Sequence, residues 1–419
     1  MTIRLYYTEP YLTTFTARVT ERVVVDGQPA VRLERSAFYP TSGGQAHDTG
    51  SLGGVAVIDV RVAEDGGVLH LLAAPLPEET AEVTGVIDWP RRFDHMQQHS
   101  GQHLLSQAFD RLLGLETVSV HFGDELCTVD LAGETLDGDG LAAVERQANE
   151  IVWENRPIRA YEVGDSELAG IPLRRAPKVT GKIRIVEIDS YDWSACGGTH
   201  VASTGSIGPI ALLRVERNRS NPSTSSGQRP STSSGHSSRV YFVCGARAMD
   251  DARRRRQLLA DAAALLDTAV GNVPVLLAAR QERMKEQDRL LRAMQEEMLG
   301  YRAQSLLAEA EVVGSVRLVA RVVADLDPAG LKSLASGLVA NPGVVALLAC
   351  GAEGKGTAIF ARSADVELHA GQLLRTILPR FGGGGGGRPD FAQGGGVDGE
   401  RLAELVAAAR QEVGQQLNG

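Results

Sequence analysis

Two short segments nearly a hundred residues apart constrain this chain most: His99-Ser100-Gly101-Gln102-His103 and Cys196-Gly197-Gly198-Thr199-His200. Each places two metal-competent side chains four positions apart, so a fold that uses them together must bring distant segments face to face. On a helix, positions i and i+4 share one face, and the first pair can grip a single ion from one side. The Gly-Gly of the second pair suits a tight loop rather than a helix interior. Three imidazoles and one thiol make a complete N/S donor set for tetrahedral zinc. Either pair alone reads as an ordinary feature, a solvated helix face or a buried cysteine; two such pairs in one chain point to zinc at His99, His103, Cys196 and His200. His95 lies one turn before His99, too far along the axis to share one small ion, and is assigned to a second shell or a substrate contact.

At 419 residues the chain is long for one core and suggests two to four domains. Hydrophobic content of 43% and charged content of 23% are those of a folded, soluble protein. Its four cysteines are too scattered for a disulfide framework, so a reducing, cytoplasmic setting is expected. The start of the chain has no basic segment followed by an apolar run, and no apolar stretch is long enough to span a bilayer. A net charge of −9 argues against a general nucleic-acid coat but leaves room for a local basic surface.

The pattern predicts an α+β multidomain protein. Residues 1–90 read as short alternating strands punctuated by Gly43-Gly44, Gly53-Gly54 and Gly66-Gly67, as in a small β-barrel. Residues 91–245 read as a zinc-binding α+β unit, with an amphipathic helix from Phe93 to Leu113 stopped by Gly114 and a second from Gly140 to Asn155. Within it, residues 222–237 form a tandem octapeptide with almost no apolar content, read as a disordered excursion that splits a hairpin. Residues 246–310 predict a helical hairpin arm, broken at Gly271-Asn272 and Pro274; its Arg253–Arg256 run reads as a phosphate contact or a solvated face. Residues 311–419 alternate apolar strands with helices, an α/β domain.

Four protein ligands normally close a zinc site, whereas a catalytic zinc keeps a position open. Zinc that orients substrate is therefore preferred over zinc that generates the nucleophile. Phe38-Tyr39-Pro40-Thr41-Ser42-Gly43-Gly44-Gln45 offers backbone at Gly43 and Gly44 that can approach a ligand, and an amide at Gln45 that can fix a polar substrate. The run Gly382–Gly387, followed by Arg388-Pro389-Asp390, reads as a flexible linker or, more sharply, as backbone that approaches phosphates with Arg388 adding charge. The Gly-Lys-Ser/Thr of a Walker loop is missing from it, so an ATP-binding fold is not indicated.

These residues resemble the editing part of alanyl-tRNA synthetase and its free-standing relatives, the AlaX proteins, over nearly the whole chain. The family's H-x-x-x-H and distant C-x-x-x-H motifs match His99, His103, Cys196 and His200, and the Cys-Gly-Gly-Thr-His string is highly specific. Phe38–Gln45 with Asp48-Thr49-Gly50 resembles the glycine-rich editing motif, and Leu5-Tyr6-Tyr7 with Pro10-Tyr11-Leu12 resembles the start of the long AlaX type. Gly382–Gly396 is similar to the DHH-associated C-terminal domain, which implies that Gly384, Gly385, Arg388, Asp390 and Gln393 bind the tRNA body.

The resemblance implies a trans-editing, zinc-dependent deacylase of seryl-tRNA(Ala), with glycyl-tRNA(Ala) as a second substrate, that does not charge tRNA because aminoacylation domains would precede this region. Gln45 and Ser36 are expected to recognise the serine side chain, with Gly43, Gly44, Thr199 and His95 beside them; Ser36 stands where the family has Thr. A homodimer is a reasonable expectation. Two rival readings remain: a non-catalytic tRNA-binding protein with structural zinc, and a deacylase of seryl-tRNA(Thr).

Overall fold

The computed structural model describes residues 2–133, 136–176, 181–219, 236–352 and 354–418. The chain divides into two compact units, Met1–Asp261 and Ala262–Gly419. Among the described residues no single helix is long and apolar enough to cross a membrane.

In the first unit, strands Thr14–Val25 (β1), Gln28–Leu33 (β2), Gly50–Leu52 (β3), Val55–Val62 (β4), Val68–Leu72 (β5) and Glu82–Ile87 (β6) close into a barrel ordered β1-β2-β5-β4-β3-β6. Alternation in sequence becomes alternation in space. Along β1, Phe15 and Ala17 point inward while Thr14, Thr16 and Arg18 face solvent, and β6 repeats the pattern with Val83 and Ile87. Phe15, Leu33, Phe38, Leu52 and Leu72 fill the barrel, each large side chain contributing about 1.5–3 kcal/mol of burial.

Helix α1 then runs from Trp89 to Leu113. It begins four residues before the expected Phe93 because Pro90 fits the first turn, where its missing N–H costs nothing, and the Asp88 carboxylate accepts from the Arg91 amide at 3.3 Å. Gly114, left-handed at φ 63, closes it as expected. The helix is buried along most of its length, with Met96, Leu104, Leu105, Ala108 and Phe109 in the core. It packs on a four-stranded sheet ordered β12-β13-β8-β7, formed by Thr117–Phe122 (β7), Cys127–Ala132 (β8), Ile210–Arg219 (β12) and His236–Cys244 (β13). Between these come helix α2 (Gly138–Trp153) and a three-stranded sheet of Ile158–Val163 (β9), Ile183–Ile188 (β10) and Asp192–Ala195 (β11). Strands β12 and β13 form the expected hairpin and pair antiparallel out to Arg219 opposite His236, so His236 and Ser237, expected in the disordered excursion, lie in β13 instead; residues 220–235 lie outside the described residues.

Helix α3 (Ala246–Leu265) and helix α4 (Val273–Ala308) are separated near the expected break. The unit boundary falls inside α3, so the expected arm 246–310 is divided between the two units, while the barrel and the zinc-motif region share the first.

The second unit is a six-stranded sheet: Glu311–Val313 (β14), Val316–Val322 (β15), Val344–Ala352 (β16), Lys355–Arg362 (β17), Gly384–Gly387 (β18) and Phe391–Asp398 (β19), ordered β14-β15-β16-β17-β19-β18. Only β15 and β16 pair in parallel, linked through helix α5 (Pro328–Val339); the other pairs are antiparallel. Helices α4 and α5 cover one face, and helices α6 (Ala370–Ile377) and α7 (Leu402–Asn418) the other. Coverage on both faces explains the unbroken apolar run of β16.

Here one sequence expectation is corrected. The glycine run is not a linker but an edge strand, with Gly384 opposite Gly395, Gly385 opposite Gly394 and Gly386 opposite Gln393. Glycine is needed for packing: a Cβ on Gly394 would stand 2.4 Å from Leu378 Cδ2. Arg388 and Asp390, at the hairpin turn, pair with each other at 3.2 Å.

Candidate metal centre

The four expected donors converge. Ligand atoms of His99, His103, Cys196 and His200 all lie within 4.8 Å of one another, in the first unit. His99 and His103 come from one face of α1, while Cys196 and His200 come from the loop that follows β11. Two glycines make this approach achievable. A Cβ on Gly101 would meet Cys244 Sγ at 2.2 Å, so only glycine lets α1 seat on β13; one on Gly198 would meet His99 Cε1 at 2.1 Å.

Each imidazole is held from behind. His99 Nδ1 lies 2.8 Å from Gln45 Oε1, His200 Nδ1 lies 3.1 Å from Ser100 Oγ, and His103 Nδ1 faces the Asp192 carboxylate at 3.4 Å. These contacts leave the Nε2 atoms for the centre, the arrangement that metal-ligating histidines adopt. Cys196 Sγ stands 3.4 Å from both His99 Nε2 and His200 Nε2. Zinc bonds of about 2.3 Å to sulfur and about 2.0 Å to nitrogen, at a tetrahedral angle, separate those atoms by about 3.5 Å. The donor set and its spacing therefore fit zinc.

The electrostatics agree. Burial pushes the Cys196 thiol up, but the imidazoles of His99, His200 and His103 outweigh it and hold the group well below the usual thiol range. Burial pulls His103 down, yet Cys196 and Asp192 together raise it to about 9. His200 is pulled to about 3 by burial and by His99. A thiolate packed against imidazoles is the donor chemistry that a soft-tolerant divalent cation takes up with release of protons.

Supporting residues that the sequence reading missed surround this set. Asp192 is fully buried and pinned by Arg174 Nε at 3.0 Å and Ser194 Oγ at 2.9 Å. A signal for it was present: Asp192 and Ser194 alternate along β11 and share a face, and Cys196 follows the strand's last residue. Arg184 Nη1 donates to the carbonyls of Cys196 and Gly198, both at 2.9 Å, and fixes the loop's path. A buried ion pair ties the barrel to α1. Asp48 accepts from Arg92 Nε at 2.9 Å and from Arg92 Nη2, while Arg92 Nη1 reaches the Pro10 carbonyl at 2.9 Å.

Other expected site residues sit differently. Gln45 is engaged inside the site: Nε2 donates one hydrogen to Thr199 Oγ1 at 2.7 Å, and Oε1 accepts from the Thr199 amide at 3.2 Å besides meeting His99. It orients a ligand, with Thr199 as its partner. Ser36 is buried in the barrel, with Oγ 2.7 Å from His70 Nε2 and accepting from the Phe38 amide at 3.1 Å, so its hydroxyl is spent there. His95 is buried outside the four-donor group, its Nδ1 without a partner and its pKa pulled by burial to about 4. Gly43 and Gly44, left-handed at φ 58 and 87, do line a cavity of about 670 Å³ beside Cys196 and His103.

Comparison with known proteins places these motifs. Residues 183–222 match the threonyl and alanyl tRNA synthetase second additional domain, and residues 315–415 match the DHHA1 domain. An alanine–tRNA ligase of Pyrococcus abyssi is 31% identical over 404 residues, covering 93% of this chain and 41% of the ligase. That of Methanothrix thermoacetophila is 32% identical, covering 98% of this chain and 45% of the ligase. The chain thus spans less than half the length of these ligases. The alanyl-tRNA editing protein AlaX-L of Pyrococcus horikoshii is 28% identical over 405 residues, 94% of each chain. In architecture the chain is similar to AlaX-L over nearly its whole length, with a match to the second additional domain followed by a match to the DHHA1 domain, the editing-type arrangement of alanyl-tRNA synthetase.

Proposed function

We propose that this chain is a trans-editing deacylase that hydrolyses the ester of tRNA(Ala) mischarged with serine, and with glycine as a second substrate. The observation that carries the reading is the convergence of His99, His103, Cys196 and His200, with His103 and Cys196 at the wall of a cavity that reaches the Gly43-Gly44 turn. Mutual coverage of 94% with AlaX-L supports action on a tRNA charged elsewhere.

An aminoacyl ester is already activated, so placement of the ester and of a water does most of the work. When bound by the four donors, zinc supplies a Lewis-acidic positive charge beside the ester. Gln45, Asp192 and Ser100 fix the three imidazoles, and Arg184 fixes the loop that bears the thiol. Gly43 and Gly44 leave backbone without side chains at the cavity wall. Ser36, bonded to His70 inside the barrel, acts on amino-acid choice through the shape of the site, while Gln45 bonds His99 and Thr199 and keeps one amide hydrogen for the substrate.

One specific feature favours a second reading: four donors with every Nδ1 atom faced from behind also describe a closed, structural zinc site in a tRNA-binding protein. Turnover separates the two. Seryl-tRNA(Ala) incubated with the purified chain releases serine over many turnovers if the deacylase reading holds, and is bound without release if the site is structural. Seryl-tRNA(Thr), tested alongside, is expected to be spared, since the relatives similar over nearly the whole chain are alanine–tRNA ligases and an alanyl-tRNA editing protein.

A further inference from the structure

Among the described residues the cavity beside Cys196 is lined by four cations, Arg174, Arg175, Lys182 and Arg184, and by no carboxylate, in a chain whose net charge is −9. Such a concentration of one sign attracts an anion. The four are not equivalent. Arg174 is consumed by Asp192 and by Ser194 Oγ, each at 3.0 Å. Arg184 is consumed by the carbonyls of Cys196 and Gly198. Arg175 is held only loosely, by Glu116 at 3.3 Å with both side chains exposed, and by the Thr117 carbonyl at 3.3 Å. Lys182 is exposed and has no acidic partner among the described residues. Thr117–Val120 of β7 also line it, and among the described residues β7 is an edge strand paired with β8 alone, so its outer edge offers backbone groups to a ligand. A volume of about 670 Å³ lies within the range of small-ligand sites, about 300–1,000 Å³.

We infer that Lys182 and Arg175 form a phosphodiester subsite that positions the single-stranded 3′ end of an RNA, so that its terminal ester lies beside the four-donor centre. The subsite rests on the deacylase reading for its ester but not for its phosphate. Arg174 and Arg184 shape the centre; Lys182 and Arg175 hold the chain that delivers the substrate. They are positioning residues, and the ester itself is not their contact.

The test uses the full chain and two probes, a 5′-phosphorylated CCA trinucleotide (the common end of tRNA) and the seryl ester of adenosine, which carries no phosphate. In Arg175→Gln/Lys182→Gln, trinucleotide binding is expected to weaken roughly tenfold, and its salt slope to fall by about 0.7 for each cation removed. KM for seryl-tRNA(Ala) rises while kcat holds, seryl-adenosine is cleaved as by the wild type, and Lys182→Arg restores binding. Unchanged trinucleotide binding and KM would overturn the subsite while leaving the deacylase reading intact. Equal slowing on both esters overturns it too, since the cations then serve the fold. If the wild type cleaves neither ester, the deacylase reading fails, and trinucleotide binding alone decides the subsite.

Discussion

Gln45 Oε1 lies 2.8 Å from His99 Nδ1, joining the barrel's Gly-Gly-Gln turn to a helix 54 residues further along the chain. The same amide reaches Thr199, inside the loop that carries Cys196 and His200. One side chain thus spans the three segments that build the centre. Replacing it with Leu keeps the volume and removes these bonds, leaving His99 free to rotate. Gln45→Leu should weaken zinc affinity about 10–100-fold, read by competition with a chromophoric chelator. Unchanged affinity would show that His99 is oriented by packing alone.

Arg92 and Asp48 are fully buried, and Arg92 also serves the carbonyls of Pro10 and Ala37. Removing one partner of such a pair strands the other charge. Arg92→Met is expected to cost about 3–5 kcal/mol in denaturant unfolding of the full chain. A loss below 1 kcal/mol would mean that Asp48 finds water or another donor.

Gly101 gives a packing test. Gly101→Ala places its methyl carbon 2.2 Å from Cys244 Sγ and should destabilise by about 1–3 kcal/mol. Adding Cys244→Ala removes the offending sulfur and should recover most of that loss, as a double-mutant cycle reads directly. No recovery would place the strain elsewhere.

His70 sets an acid limit. Burial holds its pKa at about 4, below an unfolded value near 6.5, so the unfolded chain takes up the proton first. Its contribution is intact above about pH 6.5 and is lost as pH falls toward 4, reaching about 3 kcal/mol there. Stability curves of His70→Gln and the wild type should therefore differ in slope between those pH values and run parallel above them. Parallel curves throughout would mean that His70 titrates normally.

Much of this was legible in residue spacing. The donor set was, because i, i+4 geometry on α1 and a glycine loop leave few other ways to use three imidazoles and a thiol. The helix stop at Gly114 and the hairpin around the octapeptide were legible for similar local reasons. What failed depended on partners far away in sequence. The Gly384–Gly387 strand is composed like a loop, and only its pairing with β19 and its contact with Leu378 make it a strand. Ser36 carries a hydroxyl suited to a substrate, but His70 claims it inside the barrel. Gln45 was placed at the site, but its bonds to His99 and Thr199 are invisible to local pattern.

The central claim is that the four-donor centre serves selective ester hydrolysis. It is tested most directly by deacylation of seryl-, glycyl- and alanyl-tRNA(Ala) by the full chain, before and after chelation and again after zinc is restored. The account predicts rapid release of serine, slower release of glycine and sparing of the alanyl ester, with activity lost on chelation and regained with zinc. Equal cleavage of all three esters, or serine release indifferent to chelation, would contradict it.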